Sequence, residues 1–246
     1  MGKFDFAANR LFVPSDLAAG AVIMADAAAA NYLLNALRLG DGAKILLFNG
    51  RDGEWLAEIT GRAKRTCRLE CQEQIRAQEN GPDIDYLFAP LKRSRLDYMV
   101  QKAAEMGVAR LRPVLTQHTV AERVNVDRMR SNAIEAAEQC GILRVAEVSE
   151  PEKLEKVIAG WDESRSLIFC DEAAVVSSPL QALEGLAGAK LAVLVGPEGG
   201  FSEAEQHLLR GKRYTRMISL GPRILRADTA AVAALAIVNA VAGDWR

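Results

Sequence analysis

The sequence predicts an α/β fold: a domain built on a mostly parallel sheet, preceded by a small β-rich domain. Between residues 84 and 220, strand-length apolar runs (IDYLF, LRPVL, SLIFC, LAVLV, MISL) alternate with stretches of helical periodicity. That alternation places helices on the faces of a parallel sheet. Residues 11–75 instead show strand runs separated by turn residues, with one helical stretch among them. Between the two regions lies RAQENGPD, Arg76 to Asp83, polar and carrying Gly81-Pro82, which is the composition of a linker. The boundary is drawn there, giving domains 1–76 and 77–246.

In the first domain LFV, KILLF, EWLAEI and CRLEC read as strands, with the turn-forming NGRDG joining the second to the third. So many short strands in so short a stretch predict a barrel, interrupted by a helical insert over AAAANYLLNALRL. After the linker IDYLF opens the sheet. Leu96, Met99, Ala103 and Met106 recur at steps of three and four, predicting a helix that Gly107 ends. LRPVL follows, then a helix from about Val126 to Cys140, the strands SLIFC and LAVLV, a helix opening at Ser202, and the strand MISL. The closing TAAVAALAIVNAVAG is apolar around most of its circumference, the pattern of a helix covered on two sides.

Composition excludes several classes. Of 246 residues, 50% are hydrophobic, yet no run approaches the roughly 18 consecutive apolar residues of a membrane helix. The opening MGKFDFAANR lacks the apolar core of a secretion signal, so a cytoplasmic protein is expected. Cys67, Cys71, Cys140 and Cys170 have no paired C-x-x-C spacing, and His118 and His207 lie far from them. Neither a metal site nor a disulfide frame is predicted. The net charge is −1, with ten Lys and Arg against nine Asp and Glu in residues 1–76 and 21 against 23 in the rest. A nucleic-acid partner would have to be met by local patches.

Two loops carry the functional signal. In LVGPEGGF, Leu194 to Phe201, a strand breaks into Gly-Pro-Glu-Gly-Gly and leads to SEAE, a helix start. A turn at the carboxyl end of a parallel strand is where open α/β sheets place ligands. Glycines there admit a ligand close to the backbone, and Pro197 stiffens the turn. The loop matches neither the P-loop nor the dinucleotide fingerprint. Glu198 adds a carboxylate, and Ser202 with Glu205 forms an S-x-x-E capping box that satisfies the amides a phosphate would want. A neutral or cationic ligand fits better. SLGPRILRADTAA, Ser219 to Ala231, again leaves a strand into Gly-Pro, adds Arg223 and Arg226, and ends before the terminal helix. Two such loops after two strands of one domain predict a shared pocket walled by backbone.

With NALRLGDG, FNGRDGEWLAEI, KAAEMGV and EAAEQCG elsewhere in the chain, these loops resemble the RsmE family of 16S rRNA (uracil-N3) methyltransferases of the SPOUT superfamily. The likeness spans nearly the whole sequence. It implies a PUA-like N-terminal β-barrel that binds RNA and a trefoil-knotted C-terminal domain, with S-adenosylmethionine held by the knot loops. It also implies a homodimer and, as partner, the 16S rRNA of the small ribosomal subunit. That cofactor has no phosphate and carries a sulfonium cation, in keeping with the loop chemistry.

By matching segments, the resemblance places the cofactor pocket at Cys170, at Leu194, Val195, Gly196, Pro197, Glu198, Gly199 and Gly200, and at Leu220, Gly221, Pro222, Ile224, Leu225 and Arg226. Methyl transfer to a uracil ring nitrogen needs the base oriented, its weakly acidic proton removed and the resulting anion stabilised. Arg226 is the candidate for stabilising that anion or gripping the target phosphate. Asp228 stands where the family usually has Glu; a base role would come from that match, but an Asp just before TAAVAAL reads first as a helix N-cap. Because Ile142 follows Gly141, the contact made by the family's substrate-binding arginine is either displaced to Arg144 or lost. For RNA the basic candidates are Arg10, Arg38, Lys64 and Arg65, and Lys92, Arg93 and Arg95. The last cluster stands at a helix start, where the macrodipole disfavours cations and a phosphate would offset the penalty. Two other readings compete: a SPOUT enzyme acting on another RNA or base atom, and a module that binds RNA or an adenosine ligand without turnover.

Overall fold

The computed structural model describes residues 8–63, 65–120, 123–171, 174 and 178–245, so the candidate Lys64 lies outside the described residues. The chain forms two compact units. One comprises residues 1–80 with 137–145, the other residues 81–136 with 146–246.

The first unit holds strands β1 (Arg10–Phe12) and β2 (Val22–Met24), helix α1 (Ala27–Asn31), and strands β3 (Lys44–Phe48), β4 (Glu54–Arg62) and β5 (Cys67–Arg76). They form a mixed five-stranded sheet in the order β1-β3-β4-β5-β2, with β1 and β3 parallel and the other pairs antiparallel. Ile45, Leu47, Ala57, Ile59, Leu69 and Cys71 project into one buried core with Leu11, Val13, Ile23 and Leu33. Register shifts along β4 and β5 mark bulges, which add the twist a sheet needs to wrap its core. The β3–β4 turn is fixed by Asn49, whose Oδ1 accepts the Arg51 and Asp52 amides at 2.9 Å each. At Gly53, φ +79, an added Cβ would stand 2.2 Å from the Arg76 carbonyl oxygen, so only glycine fits. The helical insert is shorter than its periodicity predicts. Asp26 caps α1, and the chain then widens into a π-helical turn over Tyr32–Ala36. Residues 137–145 complete this unit: Ala137 and Leu143 are buried against Phe48, and Glu138 accepts the Phe12 amide at 2.8 Å.

The second unit runs β6 (Ile84–Phe88), α2 (Arg93–Glu105), β7 (Arg110–Leu115), α3 (Val126–Cys140, its last residues belonging to the first unit), β8 (Glu147–Val148), β9 (Glu152–Lys153), α4 (Leu154–Ala159), β10 (Ser166–Cys170), α5 (Pro179–Ala182), β11 (Leu191–Val195), α6 (Glu203–Arg210), β12 (Thr215–Ile218) and α7 (Ala227–Ala242). The sheet order is β12-β10-β11-β6-β7-β8, with β9 also pairing β7, and every pairing is parallel. β6 and β11 are buried along their whole length, as continuous apolar runs covered on both faces should be. Asp85 is the exception inside β6. It is 1% exposed and its carboxylate is held by Arg110, Arg112 and Arg165, while Asp83 takes a fork from Arg165. This ion cluster ties the amino ends of β6, β7 and β10 and leaves the carboxyl ends to the loops.

Helix α7 packs on α2, β11 and α5. It buries Ala230, Ala231, Ala234, Leu235, Val238 and Asn239. Val232, Ala233, Ala236, Ile237 and Val241 on its other side are only half-buried, so within the chain one side is covered and the other is left for another subunit to cover. Among the described residues no helix is long and apolar enough to cross a membrane.

Candidate active site

Strands β10, β11 and β12 are adjacent, so the chain leaves three neighbouring carboxyl ends into one space. A cavity of about 260 Å³ opens there. Cys170 and Asp171 at the end of β10, Val195, Gly196, Pro197, Glu198 and Gly200 after β11, and Leu220, Gly221, Pro222, Ile224 and Leu225 after β12 all line it. The two Gly-Pro loops therefore converge on a single pocket.

Three of the expected pocket residues lie outside its wall. Leu194 is fully buried in the core beneath, because alternate residues of β11 point to opposite faces. Gly199 turns outward, where an added Cβ would meet His118 at 3.3 Å. Arg226 stands exposed at the rim, one residue before Ala227, which does line the cavity. Phe169, Asp171, Phe201, Gln206, Ile218, Ala227 and Ala230 line the cavity as well, and no motif marks them. Most are apolar residues of strand ends and helix first turns, which carry no chemical signature, while Asp171 and Gln206 are single polar residues outside any pattern. Their only signal was proximity to the loops.

The loop after β11 is braced from several sides. At Gly196 a Cβ would come 2.4 Å from the Phe201 ring, which packs edge-on against Phe169, so the turn closes tightly over its own aromatic residue. Ser202 and Glu205 form the expected capping box of α6, and the buried Glu205 also accepts the Gln117 amide at 2.8 Å. His118 Nδ1 lies 3.1 Å from the Gly199 carbonyl oxygen and 3.0 Å from that of Gly200. Carbonyls only accept, so this nitrogen carries the proton. Asp171 is held from α6 by Arg210, whose Nε donates to its Oδ2 at 2.9 Å.

The charged candidates fall in unexpected places. Asp228 is not the N-cap of α7. That position is Arg226, in extended backbone with no side-chain cap bond, and the helix already runs at Ala227. Asp228 sits in the first turn, its carboxylate forked by Arg95: Nε to Oδ2 at 3.0 Å and Nη2 to Oδ1 at 3.1 Å. Those bonds hold its carboxyl below the usual range, against the opposing effect of burial and with help from the Thr229 amide. Arg95 also donates through Nη1 to Glu198. It therefore spends its charge on two carboxylates of its own unit. Arg10 is buried at 5% exposure, with Nε donating to Glu54 Oε1 at 2.9 Å, so it is a core ion pair and not a surface contact for RNA. Arg38, Arg65, Lys92 and Arg93 are exposed; Arg144 is half-buried in the first unit. Burial pushes the Cys170 thiol up to about 12, so it is a neutral wall group and no nucleophile. Among the described residues no cluster of His, Cys, Asp and Glu could hold a metal ion.

The RNA methyltransferase domain family matches residues 78–239, and the RNA methyltransferase PUA domain matches residues 25–70. Ribosomal RNA small subunit methyltransferase E of Rickettsia conorii is 31% identical over 237 residues, covering 94% of this chain and 95% of its own. The chain belongs to the small subunit methyltransferase E family. The Synechocystis member is 30% identical over 95% of this chain and 78% of its own. Among solved structures, a Legionella pneumophila protein in complex with the cofactor SAM superposes with TM-score 0.87 at 27% identity, over 96% of this chain and 99% of that one. The Neisseria gonorrhoeae member of the family shares the fold, with TM-score 0.83 at 24% identity over 97% and 100% of the two chains.

Proposed function

We propose that this protein transfers the methyl group of S-adenosylmethionine to N3 of a uridine in the 16S rRNA of the small ribosomal subunit, acting in the cytoplasm as a homodimer. The observation that carries the reading is the single cavity into which both Gly-Pro loops converge, in a chain whose family acts on small-subunit rRNA.

The pocket fits the cofactor chemically. Val195, Ile218, Leu220, Leu225 and Ala230 offer apolar faces to an adenine, and the two loops offer main-chain amides and carbonyls to its edge. Glu198 at the wall is compatible with a cation, and the amides at the start of α6 are already taken by its capping box. When bound, the cofactor supplies an electrophilic methyl on a sulfonium. The chain's part is to orient the uracil, exclude water and stabilise the charge left when the N3 proton departs. Arg226 is exposed between Leu225 and Ala227, which both line the cavity, and we assign its guanidinium to that anion or to the flanking phosphate. Arg38, Lys92 and Arg93 are exposed cations suited to the RNA backbone. Residues 1–76 are read as the RNA-binding PUA-like domain and residues 77–246 as the knotted catalytic domain, apart from residues 137–145, which belong to the first unit.

The test is transfer of labelled methyl to small subunits that lack the modification, for the wild type and Arg226→Ala. We expect wild-type transfer, and in the variant a loss of turnover of at least about a hundredfold with cofactor affinity kept within a few-fold. Binding without transfer to any such RNA overturns the enzymatic reading. A parallel collapse of cofactor affinity in the variant moves Arg226 into the cofactor site.

A further inference from the structure

We propose that Arg95 and Asp228 act together as a positioning clamp for the cofactor pocket, with Glu198 as the clamp's second arm, and that Asp228 is not the base that removes the substrate proton. Glu198 belongs to the loop after β11 and lines the cavity. Asp228 belongs to the first turn of α7, flanked by Ala227 and Ala230, which line the cavity from the other side. Arg95, the third residue of α2, reaches both carboxylates. One guanidinium therefore joins the loop after β11 to the first turn of α7, which the loop after β12 enters.

The placement is difficult to explain otherwise. An arginine in the first turn of a helix opposes the macrodipole, and α2 has no acidic residue there to compensate. Two carboxylates brought from other elements supply the compensation. The arms differ in exposure: side-chain accessibility is 27% at Arg95, 18% at Asp228 and 57% at Glu198. The Asp228 arm is a shielded fork, which fixes direction as well as distance. The Glu198 arm is open to solvent and worth less by itself.

The same contacts weigh against Asp228 as a proton acceptor. Arg95 takes one bond at each carboxylate oxygen, and Oδ1 also accepts the Thr229 amide at 2.9 Å, so three of the four lone-pair positions are engaged. A general base for a weakly acidic ring N–H needs a raised proton affinity. Asp228 has been moved in the opposite direction. Its effect on catalysis passes through Arg95 and the loops.

For its cofactor arm this proposal rests on the function proposed above, so the experiment carries a second readout that needs no ligand. Arg95→Met, Asp228→Asn and the double variant are compared with the wild type by calorimetric titration with S-adenosylmethionine, by turnover at saturating cofactor and RNA, and by hydrogen exchange of residues 196–200 and 220–226. We expect each single variant to raise the cofactor Kd about tenfold and the double variant to add little, since the two side chains form one unit. Turnover at saturation should stay within about threefold. Amide exchange in both loops should quicken about tenfold, and Arg95→Lys should recover part of the affinity. A loss of turnover of about a hundredfold or more in Asp228→Asn with unchanged Kd would make Asp228 the base and overturn the proposal. Unchanged loop exchange in both single variants overturns it whether or not the cofactor binds. Quickened exchange in a protein whose wild type does not bind the cofactor sinks the proposed function and leaves the clamp standing.

Discussion

At the scale of single residues, the decisive feature of this protein is where its carboxylates find partners. Asp97 on α2 accepts two bonds from Arg128 of α3, at 2.8 and 2.7 Å, and one from Asn132 at 2.9 Å. The Arg128 bonds hold its carboxyl below the usual range, burial opposes them, and Asn132 adds to the lowering. A depressed folded-state pKa means stability that is present above the unfolded value near 4 and is lost as pH falls through the folded value. Thermal melts of wild type and Asp97→Asn between pH 7 and pH 3 check this. The variant should melt lower at pH 7, and the gap should narrow below about pH 4. A gap of equal size at both ends of the range would contradict it. Such partners are nearly invisible in sequence. Arg95 is separated from Glu198 and Asp228 by more than a hundred positions, so the sequence offers a basic cluster in KRSR, a carboxylate in a loop and an apparent cap, while the fold makes one ion-paired group of three. Arg10 misleads in the same way, because nothing near it in the chain announces that Glu54 will meet it in the interior.

At the scale of elements, legibility followed pattern length. β6, β10 and β11 are five-residue strands, apolar but for Asp85 and Ser166, and α2, α3 and α7 run for 13, 15 and 16 residues. β8 and β9 are two residues each, and α5 is a single turn of four. Such pieces exist because neighbours hold them, not because the local sequence insists. The π-helical turn after α1 is likewise a tertiary choice within a stretch that reads as plain helix. Both pocket loops were legible because Gly-Pro after an apolar strand can do little else at a carboxyl edge. Helix α7 makes the element-scale prediction. Its half-buried stripe through Val232, Ala233, Ala236, Ile237 and Val241 is apolar surface that a second copy of the chain can cover. Sedimentation at micromolar concentration should give a dimer for the wild type and a monomer for Ile237→Asp. A wild-type monomer would contradict the assembly.

At the scale of the molecule, the second unit separates stability from function along the strand direction. The amino ends of the sheet carry an ion cluster of two aspartates and three arginines built around the buried Asp85 and Arg165, while the carboxyl ends carry glycines, prolines and the cavity. Ligands sit at that carboxyl edge in open α/β sheets, because the loops there can vary while the strands stay fixed. The first unit contributes its own core and a set of exposed cations, Arg38 and Arg65 among them. The fold class and the convergence of the two Gly-Pro loops are legible in the amino-acid sequence, because each rests on a local pattern of strands, turns or glycines. The closure of residues 137–145 onto the first unit is not, since a helix pattern says nothing about which core its last turn joins.

Nucleoside mass spectrometry of 16S rRNA from a strain lacking the gene asks whether this chain methylates N3 of a uridine there. We expect N3-methyluridine to disappear and to return when the wild-type gene, but not Arg226→Ala, is supplied. An unchanged level of N3-methyluridine in the deletion strain would contradict it.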